Sequence, residues 1–204
     1  MLRNKSWQAM LAVTAAVLFG MLVIGCGNGG SPTGGGMQSG GLEGTWYSED
    51  EGGYMTLNDG SFEISISPNP MSANIVKALK GNYTTSGNQF TMMPALIHGD
   101  FINLIMEPML ESMLEDIGGD LDIDIGSLLG ARLESKWYTE SELKSAMRNL
   151  FGVLLYAAMG GDSFIGGMFE ELTTPHVGTY VLNGDSLTIT YDDDDEPSTF
   201  IRQQ

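Results

Sequence analysis

Asp120, Asp122 and Asp124 stand at alternate positions, a spacing that lets carboxylates converge on a hard cation such as calcium. An EF-hand loop opening at Asp120 would need a glycine at position 125 and a glutamate at position 131. The chain has Ile125 and Ala131 there, so that motif is absent. A strand with a solvated acidic face accounts for the same spacing. The run Asp192-Asp193-Asp194-Asp195-Glu196 reads as a wet acidic turn, and calcium held by Asp192 and Asp194 would relieve its internal repulsion. Calcium is the one cofactor these runs bring into view, and no other is expected. His98 and His176 are the only histidines. They lack ligand spacing to each other, and a zinc site needs at least three convergent protein ligands. Hydrolysis would require His98 or His176 as base beside a serine or carboxylate, and no motif selects that partner.

Cys26 is the only cysteine, and its position is informative. Arg3 and Lys5 form a short basic start, Trp7 to Ile24 is an uncharged apolar run, and Val23-Ile24-Gly25-Cys26 closes it. A cationic end stays cytoplasmic while the apolar run enters the membrane. The closing tetrapeptide resembles the lipobox of bacterial lipoproteins. That resemblance implies cleavage after Gly25, a lipid on the Cys26 thiol and an acylated new amino terminus. Two or more acyl chains anchor stably where one binds reversibly. An uncleaved membrane helix is the competing reading, because the run is near the lower length limit for spanning. Gly27 replaces the aspartate that, in the rule familiar from enteric bacteria, favours inner-membrane retention. The expected location is the cell envelope on the extracytoplasmic side, at the outer membrane if the source has two membranes.

Residues 1–25 are thus expected to be a signal peptide, and 26–41 a lipidated cysteine with a Gly-rich tether. Residues 42–204 are long enough for a domain with its own core. The formal net charge is −17, and losing the two leader cations makes it more negative. Such a field opposes phosphate backbones and anionic headgroups, which excludes nucleic acid as a partner. No polybasic patch assists membrane contact, so the acyl chains on Cys26 must do so alone. With that cysteine committed to lipid, no disulfide stabilises the fold.

The positioning elements follow from hydrophobic period. Strands are expected at 42–47, 53–57 and 61–67, with Asn58-Asp59-Gly60 as a tight turn and Phe62, Ile64 and Ile66 on one face. Residues 71–80 read as a short helix or loop, and 80–85 with 88–92 as a hairpin around Ser86-Gly87. A helix is expected over 101–117, capped by Asp100, with Ile102, Ile105, Met109, Met113 and Ile117 on its apolar face and a kink or division at Pro108. Leu121, Ile123 and Ile125 alternate with the aspartates. Thr139-Glu140-Ser141-Glu142 has the form of a capping box, opening a helix to about Ala158 with Leu143, Met147, Leu150, Leu154 and Ala158 as its stripe. A short helix over 163–172 precedes three closing strands at 178–182, 186–191 and 198–202.

Two segments recur. Leu42-Glu43-Gly44-Thr45-Trp46-Tyr47-Ser48-Glu49 matches Leu133-Glu134-Ser135-Lys136-Trp137-Tyr138-Thr139-Glu140 at five of eight positions. Residues 81–91 likewise resemble 178–188. A degenerate duplication (42–132 and 133–204) and convergence on similar hairpins both explain this. Gly44-Thr45-Trp46, Asn58-Asp59-Gly60-Ser61-Phe62 and Gly178-Thr179-Tyr180 followed by Gly184 to Thr190 look like the lipocalin-like domains found on bacterial lipoproteins. That resemblance implies an eight-stranded barrel holding a small apolar molecule, with Gly-x-Trp packed at its closed end. Trp46 is then structural, and Trp137 its counterpart in the repeat.

The fold expected is α+β and mainly antiparallel β: a lipocalin-like barrel or partial barrel built from hairpins. Helical insertions near 101–117 and 140–172 either cover an open end or pack on the sheet. Met92, Met93, Met106, Met109, Met113, Met147, Met159 and Met168 gather around the helices, as core filler or as the lining of a pliable apolar pocket. The reading that results is a lipid-anchored binding or interaction module whose partner is a small apolar ligand or an envelope protein. An extracytoplasmic hydrolase and a purely structural envelope protein are the alternatives.

Overall fold

The computed structural model describes residues 41–48, 52–67, 74–117, 132–192 and 196–203. Cys26 with its leader and tether, Asp120, Asp122, Asp124 and Asp194 lie outside these. The chain divides into two compact units. Of the described residues, one takes those up to Ile75, Asn82–Met92 and those from Pro175 onward; the other takes Val76–Gly81 and those between Met93 and Thr174.

The first unit is a closed antiparallel barrel. Its strands are β1 (Gly44–Ser48), β2 (Gly53–Asn58), β3 (Ser61–Ile66), β4 (Val76–Ser86), β5 (Gln89–His98), β7 (His176–Asn183), β8 (Ser186–Tyr191) and β9 (Ser198–Arg202). Of β4 and β5, the parts in this unit are Asn82–Ser86 and Gln89–Met92. Neighbours run β4-β3-β2-β1-β9-β8-β7-β5, and pairing of β5 with β4 closes a ring of eight strands. The β2–β3 turn forms at Asp59 and Gly60, both at positive φ (47° and 72°), as two-residue hairpins require. Alternation sends Trp46, Met55, Leu57, Phe62, Tyr83, Phe90, Tyr180, Leu187, Ile189 and Phe200 inward, all buried. An eight-stranded ring is just wide enough for such side chains to fill.

The second unit holds the remaining parts of β4 and β5, a two-residue strand β6 (Trp137–Tyr138), and helices α1 (Gly99–Ile117), α2 (Glu140–Ala158) and α3 (Gly161–Thr173). β6 pairs with β5 at Ile97 and His98, outside the ring of eight. The fold class read from the sequence is therefore the one observed, with helices where the two insertions were expected.

Three local expectations are corrected. Val76–Lys80 is strand, because pairing with β5 outweighs the helix-forming Lys77, Ala78 and Leu79. Of the kink or division expected at Pro108, the division does not occur, and α1 runs through it as one helix. Its buried positions are Phe101, Ile102, Met106 and Leu110, a stripe rotated from the expected one, with Ile105 and Met109 half-buried.

The capping box forms as expected. The Thr139 amide donates to Glu142 Oε2 at 2.9 Å, and the Glu142 amide donates back to Thr139 Oγ1 at 3.4 Å. Leu143 and Met147 of the α2 stripe are fully buried. The helix breaks at Gly152, whose φ of 69° and ψ of 165° are open to glycine and costly for other residues.

Candidate functional site

Trp46 is fully buried on β1. Its indole Nε1 donates to the Leu42 carbonyl at 2.8 Å, and the Arg202 guanidinium lies 4.2 Å from the ring centroid. That guanidinium also donates to the Gly41 and Glu43 carbonyls. The group draws on β1, on β9 and on the chain entering β1. Arg202 escaped sequence reasoning because its partners are backbone carbonyls far away in the chain. Trp137 sits in the second unit. His98 meets its face edge-on at 4.8 Å, and the Lys80 ammonium is 5.9 Å from its centroid.

His98 is the histidine with catalytic-looking neighbours. Asp100 Oδ2 lies 3.5 Å from its Nδ1 and accepts a hydrogen bond from Ser135 Oγ at 2.7 Å. In this order the carboxylate stands between serine and imidazole. A nucleophile–base pair needs the hydroxyl on the imidazole itself. What His98 does instead is visible at the start of α1, where its Nδ1 accepts the Asp100 amide N–H at 3.4 Å. The residue expected to cap α1 thus lies in its first turn, and His98 supplies the cap. Burial and edge-on packing against Trp137 hold the ring there.

His176 begins β7, directly opposite Met92 on β5. Its ring is 6.0 Å from that of Tyr191, whose hydroxyl lies 3.7 Å from Met92 Sδ. Asp192 follows Tyr191 and is exposed; its amide donates to the Val177 carbonyl at 2.8 Å. Among the described residues, no three His, Cys, Asp or Glu side chains converge on a metal position.

A cavity between α1 and α2 is lined by Ile102, Met106, Leu110, Met147 and Phe151, with an interior of about 20 Å³, room for a single water. Ligand pockets run from about 300 to 1,000 Å³, so this one is a packing gap. At its rim Arg132 pairs with Glu107 at 3.2 Å, and Asn103 clamps both backbone groups of Leu133 at 2.8 and 3.0 Å. The methionines act mainly as filler: Met92, Met106, Met147, Met159 and Met168 are buried.

The outward face of the barrel has a distinct composition. Val177, Thr179 and Val181 on β7, Thr188 and Thr190 on β8, and Thr199 and Ile201 on β9 present no charge. Tyr47 continues the face, paired with Ile201 and packed on Tyr54 at 4.8 Å. Val177, Val181 and Ile201 are 39%, 41% and 49% exposed. Among the described residues, no helix is long and apolar enough to cross a membrane.

No protein-family model matches the chain, and no curated protein matches it. Among solved structures, the chain is similar to an uncharacterized protein from Bacteroides eggerthii DSM 20697, at 10% identity and a TM-score of 0.37. The match covers 79% of this chain and 99% of that one.

Proposed function

We propose that the protein is a lipid-anchored, extracytoplasmic interaction module that presents its barrel to another protein of the cell envelope. The observation that carries this reading is the uncharged outward face of β7, β8 and β9. On a chain with a net charge of −17, this stretch of barrel wall presents no charge and exposes Val177, Val181 and Ile201. Exposed β-branched residues there can be desolvated by a partner without stranding a charge. The large buried side chains inside the barrel weigh against an enclosed apolar ligand. The basic start, the apolar run and Val23-Ile24-Gly25-Cys26 support lipidation at Cys26, and the Gly-rich tether would give the module reach.

The test combines anchor and surface. Labelled palmitate should enter the wild-type chain and not Cys26→Ser. A photo-crosslinking residue at position 181 or 201 should trap an adduct of discrete mass in intact cells, and the same residue at position 63 on β3 should not. Absence of label would remove the anchor. Absence of adducts at both positions would remove the partner reading. Recovery of a stoichiometric apolar molecule from the purified chain would establish carriage instead.

A further inference from the structure

The inward rows of the barrel change character along its axis. Around Trp46 they carry large side chains; toward the other end they carry Ser48, Gly53, Gly178 and Ser198. Gly178 is the Cα partner of both Phe90 and Tyr191. A side chain at 178 would meet the backbone of Thr190 and Tyr191, and the Tyr191 hydroxyl lies 3.7 Å from Met92 Sδ on β5. His176 lies opposite Met92 on the same inward face, with its ring 6.0 Å from Tyr191. A thioether, an imidazole and a phenol from three neighbouring strands therefore converge in one place. On the next strand, Ser198 Oγ is shielded from solvent without a hydrogen-bond partner, in a residue only 6% exposed.

We propose that Met92 and His176 form a binding site for a soft monovalent metal ion of the copper(I) class. Directly paired cross-strand residues have Cβ atoms about 4.5–5.5 Å apart, which puts a thioether sulfur and an imidazole nitrogen within reach of one ion. Thioether sulfur is a soft donor that selects copper(I), whereas calcium and magnesium require oxygen. Zinc needs a ligand set that the described residues do not bring together. Tyr191 neighbours both side chains, with its hydroxyl 3.7 Å from Met92 Sδ and its ring 6.0 Å from that of His176, and the acidic chain favours a cation. This site uses the inward face of the barrel and the partner reading uses the outward face, so either can fail alone.

Silver(I), a redox-inert probe for copper(I) sites, provides the test. The full chain carrying Cys26→Ser, which removes the competing thiol, is titrated with silver(I) by calorimetry and by tyrosine fluorescence. Met92→Leu keeps the buried volume, so its fold should persist; His176→Gln removes the imidazole, and Met93→Leu alters an exposed neighbour as control. One tight equivalent is expected, weakened at least about 30-fold, near 2 kcal/mol, by either Met92→Leu or His176→Gln and unchanged by Met93→Leu. Affinity within about three-fold of the parent in Met92→Leu or His176→Gln would overturn the assignment. So would silver binding no tighter than to free methionine and histidine at equal concentration.

Discussion

Arg202 shows how one side chain can tie the last strand to the chain entering the first. Its guanidinium donates to the carbonyls of Gly41 and Glu43 and covers the Trp46 ring at 4.2 Å. A planar fork can serve two carbonyls and an aromatic face at once, whereas an ammonium on a flexible stem cannot. Arg202→Ala is expected to cost about 2 kcal/mol in urea unfolding, the sum of two charge-assisted hydrogen bonds and a cation–π contact discounted for partial exposure. Arg202→Lys should recover less than half of that loss. At this scale the sequence was legible where a residue's role is local. Trp46 stood out through Gly44-Thr45-Trp46, and Thr139 with Glu142 through their spacing. Arg202 was not legible, since it closes a gap of 161 residues onto backbone atoms that carry no side-chain signature. His98 carries no sequence signature of a helix cap; its placement beside the Asp100 amide shows that contact.

At the level of elements, the α2–α3 pair is held by a polar clasp that crosses the Gly152 break. Tyr156 Oη donates to Asp162 Oδ1 at 2.7 Å, and Arg148 reaches the same carboxylate at 2.9 Å while its guanidinium lies 5.4 Å from the Tyr156 ring centroid. The tyrosine hydrogen bond, followed by the arginine, holds the Asp162 carboxyl below its ordinary range. Burial first, and then Asp162, push the Tyr156 phenol up from 10.0 to about 12. For Asp162 the folded state binds its proton less readily than the unfolded state, so its contribution is present above the ordinary carboxylate range and lost as pH falls through the lowered value. For Tyr156 the folded state keeps its proton longer, so its contribution is present below pH 10 and lost as pH rises toward 12. Tyr156→Phe should be less stable than the parent at pH 8 by about 1 kcal/mol, the worth of one hydrogen bond. That difference should shrink as the pH is raised to about 11, as the parent loses the contribution that the variant lacks. Thermal melts of both proteins across this range would read it, and a constant gap would rule the clasp out. α2 is legible in its hydrophobic period and its Thr139–Glu142 capping box, whereas α3 starts at Gly160 with no side-chain cap. The strand at Val76–Lys80 is not legible, because good helix formers there are overruled by a pairing partner beyond the Gly87 turn.

For the whole molecule, ring closure joins the ends of the domain: β1 lies between β2 and β9, and Gln203 donates its amide to the Thr45 carbonyl. Hairpin neighbours were visible through turn residues, whereas the β1–β9 pairing depends on strands more than 150 residues apart. Charge acts at the same scale. With 26 acidic and 9 basic residues, the compact state confines carboxylates that repel one another, and salt should relieve this. Raising the ionic strength from about 20 to 300 mM should stabilise the protein by about 1 kcal/mol, or about 2–4 °C in Tm for a chain of this size. Sodium chloride and tetramethylammonium chloride should act alike, because screening does not depend on fitting a site. Calcium chloride at matched ionic strength distinguishes the two readings of the acidic runs around Asp122 and Asp194. Solvated acidic faces predict the same Tm as sodium. A calcium site would add stability that climbs with the logarithm of calcium concentration, because an ion bound only by the folded state pulls the equilibrium by mass action. The expected outcome is coincidence of the three salts, and a separate rise that grows with the logarithm of calcium concentration would assign these aspartates to a cation after all.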